Sequence, residues 1–493
     1  MFTYVLSGFS AILQPLTFLF MVFGVVVGII IGALPGLSGS MGIILLLPLV
    51  YRLPADTALV MLCGLFCGSM YGGSISAILL KTPGTPSAAA TLLDGYPLCE
   101  QGQAGRALGI STIASFIGGL FSSICLFLIA PQLAKIALNF HAADYFSLAI
   151  FGLSIMASSS GKNVGKGLLA GCLGLLISTV GIDAIAGTDR FTFGIPRLMR
   201  GFNLLPVLIG VFALSEVFSQ VANKHGKSTA NAQVITNMLP KWFDIKGFLI
   251  AAIVGSVIGV FVGIIPGTGG SIASFIAYNV AQKLSKRPDK FGKGSYEGVA
   301  APEAANNATT GGALIPMLCL GVPGDVVTSV MLGSLILIGV RPGPLLFVES
   351  IDLVYTIFAG MFAIQFVMLA AGLLSAKYSP KILKIPTNIL MPIIIILCVV
   401  GSYSLGNQLY DVYVAVCFGV IGYFMKKYGY PGAPLVLGVI LGPIAEENLN
   451  RALLMSKNSL TVFYTRPISL VFLLLAAFTI VFSLVSSMKK AKA

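Results

Sequence analysis

Apolar runs broken by short polar loops fill this chain from end to end. In the first half they cover residues 13–34, 39–50, 57–80, 104–129, 145–156, 164–185 and 204–221. In the second half they cover residues 247–265, 269–280, 311–320, 326–338, 353–375, 389–400, 412–425, 434–441 and 468–485. A helix needs about 20 apolar residues to cross a bilayer, and several of these runs are too short. The short, Gly- and Pro-interrupted runs recur at matching places in both halves. The pattern predicts an all-α polytopic membrane protein of about 10–14 transmembrane segments, in two repeats with re-entrant or discontinuous helices. The first repeat is expected over residues 1–222 with its core at 21–110. A polar linker follows at 223–246, and the second repeat at 247–493 has its core at 252–345.

The repeat is visible as an echo. Gly32-Ala33-Leu34-Pro35-Gly36-Leu37-Ser38-Gly39-Ser40 returns as Gly263-Ile264-Ile265-Pro266-Gly267-Thr268-Gly269-Gly270-Ser271. Pro lacks an N–H and Gly reaches left-handed backbone angles, so a helix must break there. Irregular backbone at membrane depth is tolerated only where it lines a cavity or is buried in protein. Freed N–H groups at a helix N-terminus attract anions, and freed carbonyls suit Na⁺. Pro35, Gly36, Ser38 and Ser40, with Pro266, Gly267, Thr268 and Gly269, are therefore candidate substrate-binding residues. A single such motif would more often serve close helix packing; its duplication favours a site.

A second pair of segments is richer. Gly72-Gly73-Ser74 leads through an apolar run to Lys81-Thr82-Pro83-Gly84-Thr85, and Gly311-Gly312 leads likewise to Pro323-Gly324-Asp325. All of these except Asp325 are assigned to the substrate site. Lys81 and Asp325 flank equivalent turns, and an ionisable residue at membrane depth usually faces a cavity or a partner. Lys81 suits a substrate carboxylate; Asp325, with Thr328, suits a coupling cation. The bland alternative is that both charges snorkel to an interface. A third segment, Tyr296 to Thr309, has no evident first-half counterpart. Its Asn306 and Asn307 enter the membrane beside an expected Gly-Gly break and read as a site wall. A fainter echo, Gly210 to Glu216 and Gly438 to Glu447, reads as two structural helices ending in acid.

Composition sharpens the class. The chain is 57% hydrophobic and 10% charged, with a mean hydropathy of +0.96, against about 25% charged for a soluble protein. The net charge of +13 does not suggest nucleic acid, because Lys and Arg form short loop clusters that mark cytoplasmic loops. Such clusters are Lys224, His225, Lys227 and Lys241 in the linker, then Lys283, Lys286, Arg287, Lys290 and Lys293. They flank one apolar block, which would enter and return by turning at Pro266-Gly267. The same logic applies between Lys384 and Lys426, and Lys489, Lys490 and Lys492 would also be cytoplasmic. The matching first-half loop, 51–56, holds only Arg52, as an inverted repeat would give. No basic region precedes the first apolar run, which reads as a retained span. The eight cysteines read as small buried hydrophobes without a metal pattern. His141 and His225 lie in polar loops, and no catalytic constellation or phosphate-binding loop is visible. A non-enzymatic chain without cofactor or resident metal is expected.

At these residues the chain resembles the large membrane subunit, TctA, of the tripartite tricarboxylate transporter family. The likeness spans essentially the whole chain. It is carried by Tyr71-Gly72-Gly73-Ser74-Ile75, Thr82-Pro83-Gly84-Thr85-Pro86, Leu93-Asp94-Gly95-Tyr96-Pro97, Pro302-Glu303-Ala304-Ala305-Asn306-Asn307-Ala308 and Gly321-Val322-Pro323-Gly324. One departure is Lys81, where the family pattern leads one to expect a neutral polar residue, often Asn. The resemblance implies a multi-pass permease of the bacterial inner membrane that imports citrate-like di- and tricarboxylates on a Na⁺ or H⁺ gradient. Its implied partners are a small TctB-like membrane subunit and a TctC-like periplasmic substrate-binding protein. The alternative is a stand-alone ion-coupled exchanger or channel for organic anions.

Overall fold

The structure, a computed structural model, describes residues 2–158, 164–183, 185, 187–222, 238, 240, 242–383 and 387–492. Lys224, His225, Lys227, Lys241 and Lys384 lie outside the described residues, as do the side chains of Lys489, Lys490 and Lys492. In chain order the helices are α1 Phe2–Leu13, α2 Pro15–Ala33, α3 Gly39–Val50, α4 Ala55–Leu80, α5 Leu92–Glu100, α6 Ala104–Ala137, α7 Ala142–Ser158, α8 Val164–Ser178, α9 Leu204–Leu208 and α10 Ser215–Ala222. They continue as α11 Trp242–Ile264, α12 Gly269–Leu284, α13 Tyr296–Leu320, α14 Val326–Leu337, α15 Leu346–Glu349, α16 Ile351–Ile382, α17 Thr387–Gly406, α18 Leu409–Lys427, α19 Gly432–Met455, α20 Val462–Thr465 and α21 Pro467–Lys492. Among the described residues the only strands are β1 Gly181–Ile182 and β2 Asp189–Arg190, paired antiparallel.

The chain is an all-α polytopic membrane protein. In hydrocarbon each backbone polar group must find its partner within the segment, which a helix provides. Seven helices among the described residues are long and apolar enough to cross a bilayer. Several expected runs change length. Residues 311–320 are only the end of the 25-residue α13, because the preceding small and polar residues continue the helix by packing rather than by hydropathy. Residues 434–441 likewise belong to the 24-residue α19. The second repeat's first helix starts at Trp242 rather than 247, and the run from 164 stops at Ser178, before the hairpin.

The chain forms two compact units, each drawing on both halves of the sequence. The first comprises residues 1–134 and 225–393. In it, α2 lies along α4 and α11 lies along α13 through the same device. A Cβ at Gly24, Gly28 or Gly32 would stand 2.2, 2.4 or 2.3 Å from the carbonyl oxygens of Met61, Leu65 and Ser69. A Cβ at Gly255, Gly259 or Gly263 would stand 2.3, 2.3 or 3.0 Å from those of Ala301, Ala305 and Thr309. Glycine every fourth residue gives each helix a bare stripe, and the partner backbone closes on it.

This packing fixes the register of the echo. Gly72 meets Ile29 O and Gly312 meets Val260 O, so Gly72 matches Gly312, Gly73 matches Ala313 and Tyr71 matches Gly311. The expected Gly-Gly break at 311–312 does not occur. Both glycine pairs lie inside continuous helices, where they serve close packing.

The second unit comprises residues 135–224 and 394–493. There α7 packs on α19 and α21, and α8 packs on α19. A π-turn, Ile209–Leu214, joins α9 to α10 and packs on α18. The acids of the fainter echo do not end their helices: α10 runs on to Ala222 and α19 to Met455. Each acid is ion-paired, Glu216 with Lys426, Glu446 with Arg190 and Glu447 with Arg451. The Glu446 carboxylate holds the Arg190 guanidinium above its ordinary pKa. The His141 backbone N–H donates to Asp144 Oδ2 at 2.9 Å, and Arg466 binds Asp144 through Nε and Nη2. Five of the eight cysteines are buried, Cys125 is partly buried, and Cys172 and Cys417 are exposed.

Candidate functional site

Four helix breaks within the first unit define the candidate site. The first, between α2 and α3, turns at Gly36 (φ 88°). Ser38 caps α3, its Oγ accepting from Met41 N at 3.3 Å and lying 2.8 Å from Ser40 Oγ. The second break, between α11 and α12, turns at Gly267 and Gly269 (φ 81° and 65°). Thr268 turns its hydroxyl back to the carbonyls of Val262 and Ile265 and gives α12 no side-chain cap. The third follows α4 and turns at Lys81, which is left-handed at φ 56°. The fourth follows α13 and turns at Gly321 (φ 70°). Asp325 then opens α14 with a capping box: Oδ1 accepts from Thr328 N at 2.7 Å, and Asp325 N donates to Thr328 Oγ1 at 2.8 Å.

The four breaks close into a ring. Within the first copy, a Cβ at Gly84 would stand 2.0 Å from Gly32 O, and Gly84 N donates to Gly73 O at 3.1 Å. Within the second, a Cβ at Gly324 would stand 2.8 Å from Gly263 O, and Gly324 O accepts from Gly267 N at 2.6 Å. Between copies, a Cβ at Gly39 would lie 3.5 Å from Val327 Cγ2. A Cβ at Gly270 would lie 3.1 Å from Ser87 Cβ, in the 3-10 turn Pro86–Ala89 after the third break. The start of α3 thus meets α14, and the start of α12 meets the turn after α4.

The α13 face beside this ring is polar. Glu303, Asn306 and Asn307 are fully buried. Asn306 Nδ2 donates to Met70 O at 3.0 Å. A carbonyl facing that carbonyl would be repulsive, so the amide is fixed with Oδ1 toward the α12 start, 2.8 Å from where a Gly270 Cβ would stand. Oδ1 of Asn306 and Oδ1 of Asn307 have no hydrogen-bond partner among the described residues. Leaving a buried acceptor unpaired costs about 1–3 kcal/mol, so the arrangement is poised to accept a donor or a cation. Thr309 Oγ1 lies beside it, 3.2 Å from the same Gly270 position.

The predicted residues divide accordingly. Pro35, Gly36, Ser38, Ser40, Pro83, Gly84, Thr85, Pro266, Gly267, Thr268, Gly269, Pro323 and Gly324 belong to the four breaks. Asn306 reaches them, and Asp325 and Thr328 are joined in one cap. Gly72, Gly73, Gly311 and Gly312 lie in helix interiors, and Ser74 Oγ bonds Tyr71 O and Ser111 Oγ, both at 2.7 Å. Lys81 and Thr82 are exposed. Lys81 Nζ stands 5.0 Å over the Tyr96 ring and, among the described residues, forms no ion pair. Lys81 and Asp325 flank equivalent turns from opposite sides, since the register matches Lys81 with Gly321 and Thr85 with Asp325. None of the predicted residues lines the roughly 460 Å³ cavity of the second unit beside His141, Tyr145, Asn448 and Arg451.

Two buried acids were not assigned to the site from the sequence, although Glu303 shares a helical face with Asn307 and both acids lie in the motifs that carry the family resemblance. Asp94 Oδ1 accepts from Gly294 N and Ser295 N at 2.8 and 2.7 Å, and its Oδ2 accepts from Tyr278 OH at 2.9 Å. It ties the loop before α13 to α5. Glu303 is held by hydroxyls instead: Thr91 at 2.5 Å on Oε1, and Ser111 and Ser115 at 3.2 and 3.1 Å on Oε2.

The family model described as "Tripartite tricarboxylate transporter TctA family" matches residues 18–437. An uncharacterized 52.8 kDa protein in the TAR-I ttuC' 3' region of Agrobacterium vitis is 36% identical over 482 residues, 98% of this chain and 96% of that protein. An uncharacterized protein in the TAR-II ttuC' 3' region of the same organism is 39% identical over 225 residues, 46% of this chain and 93% of that protein. No solved structure matches.

Proposed function

The chain belongs to the tripartite tricarboxylate transporter TctA family, and on that premise we propose that it is the permease subunit of a carboxylate importer of the bacterial inner membrane. It carries citrate-like di- and tricarboxylates inward on a Na⁺ or H⁺ gradient. A periplasmic binding protein delivers the substrate, and a small membrane subunit completes the complex. The observation that carries this reading is the ring of four breaks, in which the start of the 16-residue α12 lacks a side-chain cap. α3 is capped by Ser38 and α14 by Asp325, while α12 has no side-chain cap. A substrate carboxylate would take at α12 the place that the Asp325 carboxylate takes at α14, where backbone N–H groups and the helix dipole favour an anion. Asn306 Oδ1 beside it would accept from a hydroxyl, which suits a hydroxy acid such as citrate.

Uptake of labelled citrate into vesicles containing both membrane subunits tests the reading. Uptake should require the binding protein and an imposed cation gradient. Equal uptake without the binding protein would favour the stand-alone exchanger or channel instead. Gly270→Ala, which puts a methyl between the α12 start and Asn306, should reduce uptake at low citrate while the protein still inserts.

A further inference from the structure

Glu303 is a fully buried carboxylate that takes part in no ion pair among the described residues. Asp94, another buried acid of this unit, has two backbone N–H donors and a tyrosine hydroxyl, the usual way a carboxylate is satisfied inside a protein. Glu303 has only hydroxyls around it. Thr91 precedes α5, Ser111 and Ser115 lie one turn apart on α6, and Ser74 on α4 sits 2.7 Å from Ser111 Oγ. All four are fully buried. A hydroxyl is donor and acceptor at once. Toward a bare carboxylate it turns its hydrogen inward; toward a cation it turns a lone pair inward. Four such groups beside one carboxylate form a shell that can rearrange around a bound cation without moving the backbone.

We infer that Glu303, Thr91, Ser111, Ser115 and Ser74 form a site for a monovalent hard cation, Na⁺. Three arguments converge on that ion. An unpaired charge at membrane depth is costly and calls for a neutralising partner, and one positive charge cancels one carboxylate. A divalent ion would leave a net charge and would ordinarily draw on more carboxylates, and among the described residues no cluster of three or more acids, histidines or cysteines exists. All the ligand atoms are oxygen, the choice of a hard cation. The site rests on the transporter reading for its use, as the seat of the coupling ion one helical turn from Asn306 and Asn307, but not for its existence.

Binding is measurable without transport. Thermal unfolding of the purified full chain in detergent would be followed as NaCl replaces choline chloride or KCl at constant ionic strength. A ligand that binds only the folded state raises the unfolding temperature in a saturable way. Wild type should show this shift with Na⁺ and not with K⁺ or choline. Glu303→Gln should abolish it while raising the ion-free unfolding temperature, since an uncompensated charge is removed. Should Glu303→Gln fail to fold, Ser111→Ala with Ser115→Ala serves instead and should raise the half-saturating Na⁺ about ten-fold or more, the equivalent of one lost ligand interaction. An unchanged Na⁺ shift in either variant would overturn the site. So would a wild type that responds to pH but not to Na⁺, which would make Glu303 a proton carrier. Citrate uptake in Na⁺-free vesicles separates the two levels: its persistence leaves the transport reading standing and overturns Na⁺ at this site as the coupling ion.

Discussion

The two copies of the broken-helix motif share a scaffold and differ in chemistry. Gly24, Gly28 and Gly32 pack α2 on α4 as Gly255, Gly259 and Gly263 pack α11 on α13, and Gly84 closes on Gly32 as Gly324 closes on Gly263. In the same register, the polar residues of the second copy have apolar or neutral counterparts in the first. Glu303 matches Cys63, Asn306 matches Phe66, Asn307 matches Cys67 and Asp325 matches Thr85. Buried polar side chains therefore sit on α13, while α4 offers a packed apolar face in the same place. The chain holds two sets of breaks, and the buried acid and amides beside them lie in one copy.

The largest effect should come where the copies are alike. Gly28→Leu and Gly259→Leu each drive a side chain into a carbonyl that already stands within 2.4 Å of a Cβ. Each should cost at least about 3 kcal/mol, read as loss of monodisperse protein and of thermal stability. A large effect at one position only would break the equivalence. Next, Asp325→Ala should cost about 1–2 kcal/mol through the lost cap. Thr85→Ala, at the counterpart that makes no cap bond, should cost less. Asp325→Asn keeps a capping oxygen and should stay near wild type in stability.

The left-handed turns sharpen the contrast further. Lys81 and Gly321 occupy the same place, yet an L-residue there carries a penalty of roughly 1–2 kcal/mol that glycine avoids. Gly321→Lys should destabilise by about that amount, while Lys81→Gly should leave the unfolding temperature equal or slightly raised. The smallest effect concerns transport. Because Lys81 Nζ stands over Tyr96, Lys81→Asn should change the half-saturating citrate by about two-fold or less, well short of the ten-fold or more that a charge-assisted bond would forfeit.

The breaks were legible because Pro-Gly inside an apolar run has few explanations. The register was not, because Gly72-Gly73 and Gly311-Gly312 look alike while the true match pairs Gly73 with Ala313. Which glycine meets which carbonyl is a tertiary fact, although the four-residue glycine spacing of both stripes stood in plain view. The continuity of α13 was hidden for a related reason: Tyr296 to Thr309 is too polar to read as a span, yet its small residues pack on every side. The Glu303 cage could not be read at all. Thr91, Ser111 and Ser115 lie 212, 192 and 188 residues from Glu303, and a serine in a membrane helix carries no mark of what it faces.

The central claim is that the uncapped start of α12, inside a ring of four breaks, receives the substrate carboxylate. The most direct measurement is an electron cryomicroscopy map of the full chain, in a lipid nanodisc, with the carboxylate that its binding protein retains. The account predicts density for a carboxylate within hydrogen-bond distance of the backbone N–H groups at 269–271, beside Asn306, with α3 still capped by Ser38 and α14 by Asp325. Density seated in the second unit's cavity beside His141 and Arg451, with the α12 start unchanged, would contradict it.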